Sequence, residues 1–429
     1  MARAQADAPD LEAWEKCLKE AVLAAGARVL EQLLADVCCG RRDEAVMCAC
    51  GQRMQSKGVR EKELRTILGP LTLRRSMFQC PACGATRLPG DEALNIANTS
   101  FSPGLRRMMS RAGGNTTFKE AAEDLRIYAG VTVGAKDVER TAEASGAAME
   151  QWAQAERDAL LVDEEWKQVK KDIPVLYVCM DGTGVPVTKT ETAGRKGKQP
   201  DGSARTREAK LGCVFTQTTT DEDGFAVRDP DSTSFTGAIE TAEQFGTRIY
   251  AEALRRGLER AQKTVVLGDG AEWIRNLVEL HFTGATQIVD LYHARERVCK
   301  VISLLFKDDE KNKKLHRLKW WTYLDDGDVE KFIADARSSI PFDCEIEEEV
   351  DKELGYFENN LERMRYNKFR EQGLFVGSGV IEAGCKTVIG SRMKRSGMEW
   401  SVRGANAIIT LRCIHHSNRT EDYWGSAAA

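Results

Sequence analysis

The sequence predicts a multidomain α/β protein, and three features carry that expectation. Two close cysteine pairs flank a strand-like segment early in the chain, a run of short helical patterns broken by glycines follows, and from about Ile173 apolar strands alternate with helices. At 429 residues the chain exceeds what one compact domain usually holds, and 42% hydrophobic content is enough to build ordinary cores.

Near the start, Leu11, Trp14, Leu18, Val22, Val29, Leu33 and Val37 recur at helical spacings and form the stripe of an amphipathic helix, which Cys38-Cys39-Gly40 ends. Such a stripe packs on its own domain or on a partner helix in a dimer. Cys80 and Cys83 then form a CPAC knuckle, with Cys48 and Cys50 upstream and a strand over Leu71 to Phe78 to hold the pairs together. This is a zinc-ribbon layout, because thiolates in two close pairs on separate turns can close a tetrahedral site. The upstream pair departs from the usual spacing: it reads CxC, and Met47 stands where a first cysteine is expected. A metal-free ribbon with buried thiols is the alternative.

Thr117 to Ala142 reads as helix, glycine-centred turn and helix, the form of a helix-turn-helix, with Arg106, Arg107 and Arg111 before it. A small helical bundle without DNA contact fits the same periodicity.

The segment IPVLYVCMDGTGVPVTK predicts an apolar strand ending at Asp181 and then a short β segment, with the next strand over Leu211 to Thr218. Between them lies a Gly-rich basic loop containing Arg195, Lys196, Lys198, Arg205 and Arg207, suited either to phosphate contacts that order on binding or simply to solvent. A helix over about Thr241 to Ala261 follows. TVVLGDGAEWI then ends a strand at Asp269, and ATQIVDLYHA ends a third with Asp290 and His293. Acids at strand ends project from the edge where α/β folds place their chemistry, and clustered carboxylates repel one another unless a cation such as Mg²⁺ or Mn²⁺ binds. Asp before Gly is also a common turn signal.

Beyond Asp290 the chain reads as helices, a basic one in CKVISLLFKDDEKNKKLHRLKWW and an acidic one in DCEIEEEVDKELGYFENNLERM. In GSGVIEAGCKTVIGSRMKRSGMEW a single early acid, Glu382, precedes Lys386, Arg392, Lys394 and Arg395. An acid in the opening turn of a helix offsets its exposed N–H groups, which would explain Glu382 without chemistry.

Composition excludes some classes. No run of 18 or more apolar residues occurs, and the N-terminus lacks the apolar centre of a secretory signal, so membrane insertion and export are unsupported and a cytoplasmic protein is expected. Thirteen cysteines in such a chain indicate buried thiols and a metal site rather than disulfides. A net charge of -4 argues against a purely electrostatic nucleic-acid binder but leaves room for local basic patches.

Taken in order, the ribbon, LGPLTLRR, PGDEAL, MDGTGVPV, LGDGAEWI, DLYHA, GSGVIEAGCK and SRMKRSGMEWS resemble bacterial insertion-sequence transposases of the Kra-four group, relatives of the Mutator-like DDE transposases. The resemblance covers nearly all of the chain. It implies a ribonuclease H-like catalytic core with an all-helical insertion, preceded by a zinc ribbon and a helix-turn-helix-like domain. The corresponding segments are 1–45 for the N-terminal helix, 46–90 for the ribbon, 91–168 for the helical DNA-binding part, 169–295 and 376–429 for the core, and 296–375 for the insertion. Asp181, Asp269 and Glu382 match the family's three catalytic acids and would hold two Mg²⁺ or Mn²⁺ ions. Asp290 and His293 match its aspartate-x-x-histidine signature, with a supporting role at the site; the alternative for His293 is a core histidine bonded to a backbone carbonyl. Cys48, Cys50, Cys80 and Cys83 would hold structural Zn²⁺, and the basic residues named above would lie against DNA. The implied activity is metal-dependent strand cleavage and transfer on double-stranded DNA, at transposon ends and target, by a nucleoid-associated homodimer. A domesticated DNA-binding regulator without cleavage, or a nuclease that cuts without joining, would use the same parts.

Overall fold

The structure is a computed structural model that describes residues 10–39, 45–162, 170–197, 199–200, 202–340 and 346–426. The chain is multidomain and α/β, with two compact units, residues 1–145 and 146–429. No helix among the described residues is long and apolar enough to cross a membrane.

In the first unit a long helix, α1 (Leu11–Cys39), lies along an antiparallel hairpin of β1 (Gln55–Thr66) and β2 (Gly69–Gln79), to which β3 (Thr86–Arg87) adds a short third strand. Cys38, Leu64, Leu71, Leu73 and Ile96 form the shared core, with Leu30 and Leu34 of α1 packed against it. The face of α1 that packs is thus opposite the stripe picked out in the sequence, whose seven residues from Leu11 to Val37 are all exposed. The expectation that this stripe packs on its own domain is corrected: α1 is apolar on two sides, and the hairpin covers the narrower one.

α2 (Pro89–Ala93), α3 (Pro103–Asn115) and α4 (Phe118–Asp124) follow. Thr117 caps α4 in a reciprocal box with Glu120, satisfying two otherwise orphaned N–H groups. A π-turn at Leu125–Ala129 and a turn opening at Gly130 lead into α5 (Ala135–Val162). Leu105, Met109, Ala121, Leu125, Val131, Val133 and Val138 bury this helix, turn, helix segment around one core.

The second unit is built on a five-stranded mixed sheet ordered β10-β9-β4-β5-β8, with β4 (Ile173–Pro186) at its centre. β5 (Thr206–Gln217) pairs antiparallel with β4, then a small ribbon of β6 (Thr219–Thr220) and β7 (Ala226–Val227) leads to β8 (Ser234–Ala238), antiparallel to β5. The chain crosses through α6 (Ala242–Arg255) to β9 (Ala261–Gly268), and through α7 (Glu272–His281) to β10 (Thr286–Val289), both running parallel to β4. Leu176, Val178 and Met180 of β4 meet Phe245, Ile249, Leu277 and Val278 of these helices on one face. β4 does not stop at Asp181 as the sequence suggested. Its pairing with β5 continues to Pro186, because Gly182 and Gly184 carry no side chain to displace Glu208 and Thr206 of the neighbouring strand.

The helices that follow are α8 (Leu291–Phe306), α9 (Glu310–Asp325), α10 (Val329–Ser338), α11 (Glu347–Glu358) and α12 (Tyr366–Glu371). The basic stretch read as one helix is two, broken at Lys307 and restarted by the Asp309 cap, which accepts from the Asn312 N–H. Trp320, Phe332 and Phe357 stack edge-on at 5.2 and 4.8 Å to form the helical core. α13 (Gly379–Gly384), a π-turn at Cys385–Gly390 and α14 (Ser391–Met393) form one interrupted helix, and α15 (Val402–His416) and α16 (Thr420–Ser426) close the chain.

α15 crosses the second part of α5 so tightly that a Cβ on Gly146 would stand 2.0 Å from the Ala407 carbonyl oxygen. Glu150 ties the same crossing together, pairing with Arg248 of α6 at 2.9 Å and accepting from Thr410 at 2.9 Å. Gly146→Ala therefore tests packing against propensity. Alanine favours an isolated helix by about 1 kcal/mol, whereas overpacking against backbone costs about 1 to 3 kcal/mol. The variant should be less stable, read as a lower urea midpoint.

Candidate functional site

The register of three parallel strands sets out the site. Cys179, Leu267 and Ile288 pair side by side across β4, β9 and β10. Two residues further along each strand stand Asp181, Asp269 and Asp290, so all three acids come level and, by the two-residue alternation of strands, share one face. That face is opposite α6 and α7. The N–H of Asp290 donates to the Gly268 carbonyl at 2.8 Å, extending the alignment beyond the last strand pair.

Glu382 reaches this face on α13. Close approach of that helix depends on Gly384, where a Cβ would meet the Phe235 ring of β8 at 2.6 Å. The π-turn that follows turns Cys385 inward, where its buried thiol and Asp181 shift one another's titration. Burial and this carboxylate push the Cys385 thiol far above its usual range, so it stays a proton donor.

Asp290 is fully buried, and both of its oxygens are engaged. Oδ1 accepts the His293 N–H at 2.7 Å, capping α8, and lies 3.2 Å from His293 Nδ1. Oδ2 accepts the N–H of Ser378, the residue that opens α13. Burial alone would raise this carboxyl, but the hydrogen bonds from His293 and Ser378 outweigh it and hold it below the usual carboxylate range. The His293 ring is raised to about 9, first by its bond to Asp290 and further by the charge of Asp269, against the opposing effect of burial. It is therefore an imidazolium at neutral pH, standing among carboxylates.

Asp181 is raised by burial and by the charge of Asp269, with the Cys385 thiol and the Gly182 N–H, at 2.7 Å, pulling the other way. Asp269 follows β9 in a turn, where Oδ1 accepts the Ala271 N–H at 2.9 Å and the backbone carbonyl accepts the Tyr356 hydroxyl at 2.7 Å. Among the described residues, the tight group of potential ligand atoms here is Asp290, His293 and Glu382, all within 4.8 Å of one another. Asp181 and Asp269 lie on the same face without joining that group.

A second constellation lies in the first unit. Cys48, Cys50, Cys80 and Cys83 place their sulfurs within 4.8 Å of one another, with Cys48 to Cys83 at 3.5 Å and Cys50 to Cys80 at 3.6 Å. Such separations are far too long for disulfides and close to the ~3.8 Å edge that Zn–S bonds of about 2.3 Å give a tetrahedron. The shifted spacing is absorbed locally: Cys48 turns inward, its N–H donating to the Gln52 carbonyl at 2.9 Å, while Met47 is left 47% exposed. The Cys83 N–H pulls the Cys80 thiol down against the effect of burial, while hydrogen bonds from neighbouring cysteines push Cys50 and Cys83 up, so the four thiols share protons as long as no cation lies among them. The four cysteines can hold a metal ion.

The basic residues divide. Arg195, Lys196 and Arg205 are exposed, Arg207 donates to the Glu191 carbonyl at 3.3 Å, and Lys198 lies outside the described residues. Lys386 and Lys394 are exposed and Arg395 half-buried; Lys394 hydrogen-bonds Thr183, two residues past Asp181. Arg392 corrects the expectation of a phosphate contact. It is fully buried, with its guanidinium 4.9 Å from the centre of the Trp400 ring and 3.5 Å from the Met398 sulfur, so it packs the interior. Sequence reasoning missed Ser378 and Tyr356, which bond to Asp290 and Asp269 from distant parts of the chain, and Cys385, buried near Asp181. Only Cys385, three residues after Glu382, carried a local signal.

The model of an uncharacterised protein family (UPF0236) matches residues 243–425, a stretch that holds Asp269, Asp290, His293 and Glu382 and begins after Asp181. Among solved structures, the chain is similar to the Drosophila P element transposase strand transfer complex, at 11% identity and a TM-score of 0.24 over 77% of this chain and 83% of that one. A similarity of that size says nothing about shared activity. No curated protein matches the chain.

The His293 ring gives this site a pH signature. Its pKa lies at about 9 in the folded chain against 6.5 as the ordinary value, so the ion pair with Asp290 contributes fully below about pH 6.5 and is lost as pH rises through about 9. With the ring partly exposed, the contribution is on the order of 1 kcal/mol. In protein without added divalent ions, His293→Gln should remove that part of the decline in urea midpoint between neutral and alkaline pH.

Proposed function

We propose that the chain is a DNA transposase of the DDE type, a metal-dependent polynucleotidyl transferase with a ribonuclease H-like core. The observation that carries this reading is the row of Asp181, Asp269 and Asp290 on adjacent parallel strands, with Glu382 brought to the same face by a helix. The sheet supports it, since an antiparallel meander extended on the other side of its first strand by two parallel strands is what such a core requires. The ordered motif resemblance supports it independently.

In this reading Asp181, Asp269 and Glu382 hold divalent cations, and oxygen ligands of this kind suit Mg²⁺ or Mn²⁺. When bound, two such ions would activate the attacking hydroxyl and stabilise the leaving oxygen of a phosphodiester. Asp290 orients the Glu382 helix through Ser378. Lys394, bonded to Thr183 close to Asp181, and the nearby Lys386 and Arg395 of the same segment would contact a DNA backbone, and the exposed Arg195, Lys196 and Arg205 add to the same charge. Cys48, Cys50, Cys80 and Cys83 hold zinc and keep the ribbon folded beside the helical DNA-binding segment. Pairing two DNA ends calls for a homodimer. The tight grouping of Glu382 with Asp290 and His293 favours a second ligand set, in which Asp290 replaces Asp269.

The test is strand cleavage and end binding by matched variants. Asp181→Asn, Asp269→Asn and Glu382→Gln should each retain folding and DNA binding while Mn²⁺-dependent nicking falls by at least about 10³-fold, the loss expected when metal stabilisation of a transition state is removed. Glu382→Gln protein that nicks at the normal rate overturns the assignment. Retained activity in Asp269→Asn removes Asp269 from the ligand set and selects the second. Binding without cleavage by the unaltered chain would identify a regulator instead.

Zinc is tested separately. The unaltered protein should carry about one zinc per chain, because four thiolates close one structural site. The double variant Cys80→Ser, Cys83→Ser should lose it and bind DNA weakly, yet keep the thermal transition of the second unit.

A further inference from the structure

Helix α1 presents an apolar face that its own hairpin leaves bare. Leu11 is 67% exposed, Trp14 55%, Leu18 67%, Val22 62%, Val29 55% and Leu33 69%. All ten residues from Leu11 to Glu20 are exposed around the full circumference of the helix. The contact described for that end is the Lys19 ammonium, which donates to the Tyr128 carbonyl at 3.0 Å. Ile127 and Tyr128 are themselves 54% and 75% exposed, so the bare surface continues past the helix. Isolated helices shorter than about 12 to 15 residues are marginal in water, and an apolar stripe on such an end has no reason to stay solvated.

We propose that this face is the contact with a second copy of the same chain, paired through α1. The stripe is self-complementary. Large side chains stand at both ends, Leu11, Trp14 and Leu18 on one side and Val29 and Leu33 on the other, while small ones, Ala21 and Ala25, lie beside Val22 near the middle. Two copies related by a two-fold axis at that midpoint set the large groups of one end against those of the other and cross closely at the alanines, as an isologous contact requires. The area is sufficient. A helix of 29 residues is about 43 Å long, and covering a third of its perimeter removes on the order of 600 Å² per partner, a total of about 1,200 Å² at the lower edge of stable interfaces. Ile127 and Tyr128 extend the patch beyond that.

The experiment is the mass of the full zinc-loaded chain in solution, measured without DNA by sedimentation equilibrium at micromolar concentration. It is indifferent to the reaction proposed above. The unaltered protein should sediment at twice the chain mass, and the double variant Leu18→Glu, Leu33→Glu should sediment as a monomer, its association weakened at least about tenfold. Both substitutions lie on the exposed face, so the circular dichroism and zinc content of the variant should match those of the parent. Ala25→Cys, which leaves the stripe intact, should form a disulfide-linked dimer under mild oxidation in excess of the parent. A monomeric parent, a double variant that dimerises as tightly as the parent, or an Ala25→Cys protein that does not cross-link overturns the proposal.

Discussion

The buried carboxylate of Asp290 is the constraint on which the candidate site depends. It lies at the end of the shortest parallel strand, where β10 gives way to α8, and it accepts hydrogen bonds from both elements that meet there, the first turn of α8 and the entry to α13. A buried ionised acid is costly unless its lone pairs are satisfied, so the same hydrogen bonds that make it tolerable also decide where Glu382 lies. The residue with the strongest positional effect on the site is thus one whose own oxygens are already committed. A change that left its donors unpaired would loosen α13 before it touched any ligand.

The strand register supplies the other half of the geometry. Because β4, β9 and β10 run parallel and in step, the positions just beyond one paired row are brought level, and three acids stand there at or just past the strand ends. Such a row of negative charge is self-repelling. Two features offset it: the imidazolium of His293, raised by Asp290 and Asp269, and the hydrogen bond that the Gly182 N–H donates to Asp181. A divalent cation among the carboxylates would take over part of that compensation.

What could be read from the sequence was whatever has a local signature. The four cysteines were legible because knuckle spacing is local, and even the shifted CxC pair needed only one residue to turn inward while Met47 turned out. Asp181, Asp269 and Asp290 were legible because each ends or interrupts an apolar run. The extension of β4 past Asp181 was not, since it depends on a neighbouring strand whose start at Thr206 lay inside a loop-like sequence. The burial of Arg392 was hidden for a related reason. A run of basic residues on a short helix looks uniform, and the Trp400 ring and Met398, arriving from a later turn, pack against the one cation that faces inward. In α1 the periodicity was read correctly as a helix, but two apolar faces compete on it, and periodicity does not say which one the hairpin takes.

The helices between Asp290 and Glu382 follow the same logic. Read from charge, they were a basic and an acidic helix, yet their most direct bearing on the site is a neutral contact. Tyr356 of α11 donates its hydroxyl to the backbone of Asp269, and Arg297 of α8 covers the tyrosine ring at 4.0 Å while pairing with Glu353 at 2.9 Å. Gly270, with a φ of +79°, lies directly beneath that ring, where any side chain would collide with it. The turn that aims Asp269 is therefore fixed by α11, just as the helix of Glu382 is fixed by Asp290. Asp269 and Glu382 both take their positions from parts of the chain far from them in sequence. The helices after β10 and the sheet accordingly form one positioning device, in which loss of the Tyr356 hydroxyl would be felt at Asp269 although the tyrosine touches no carboxylate of the row.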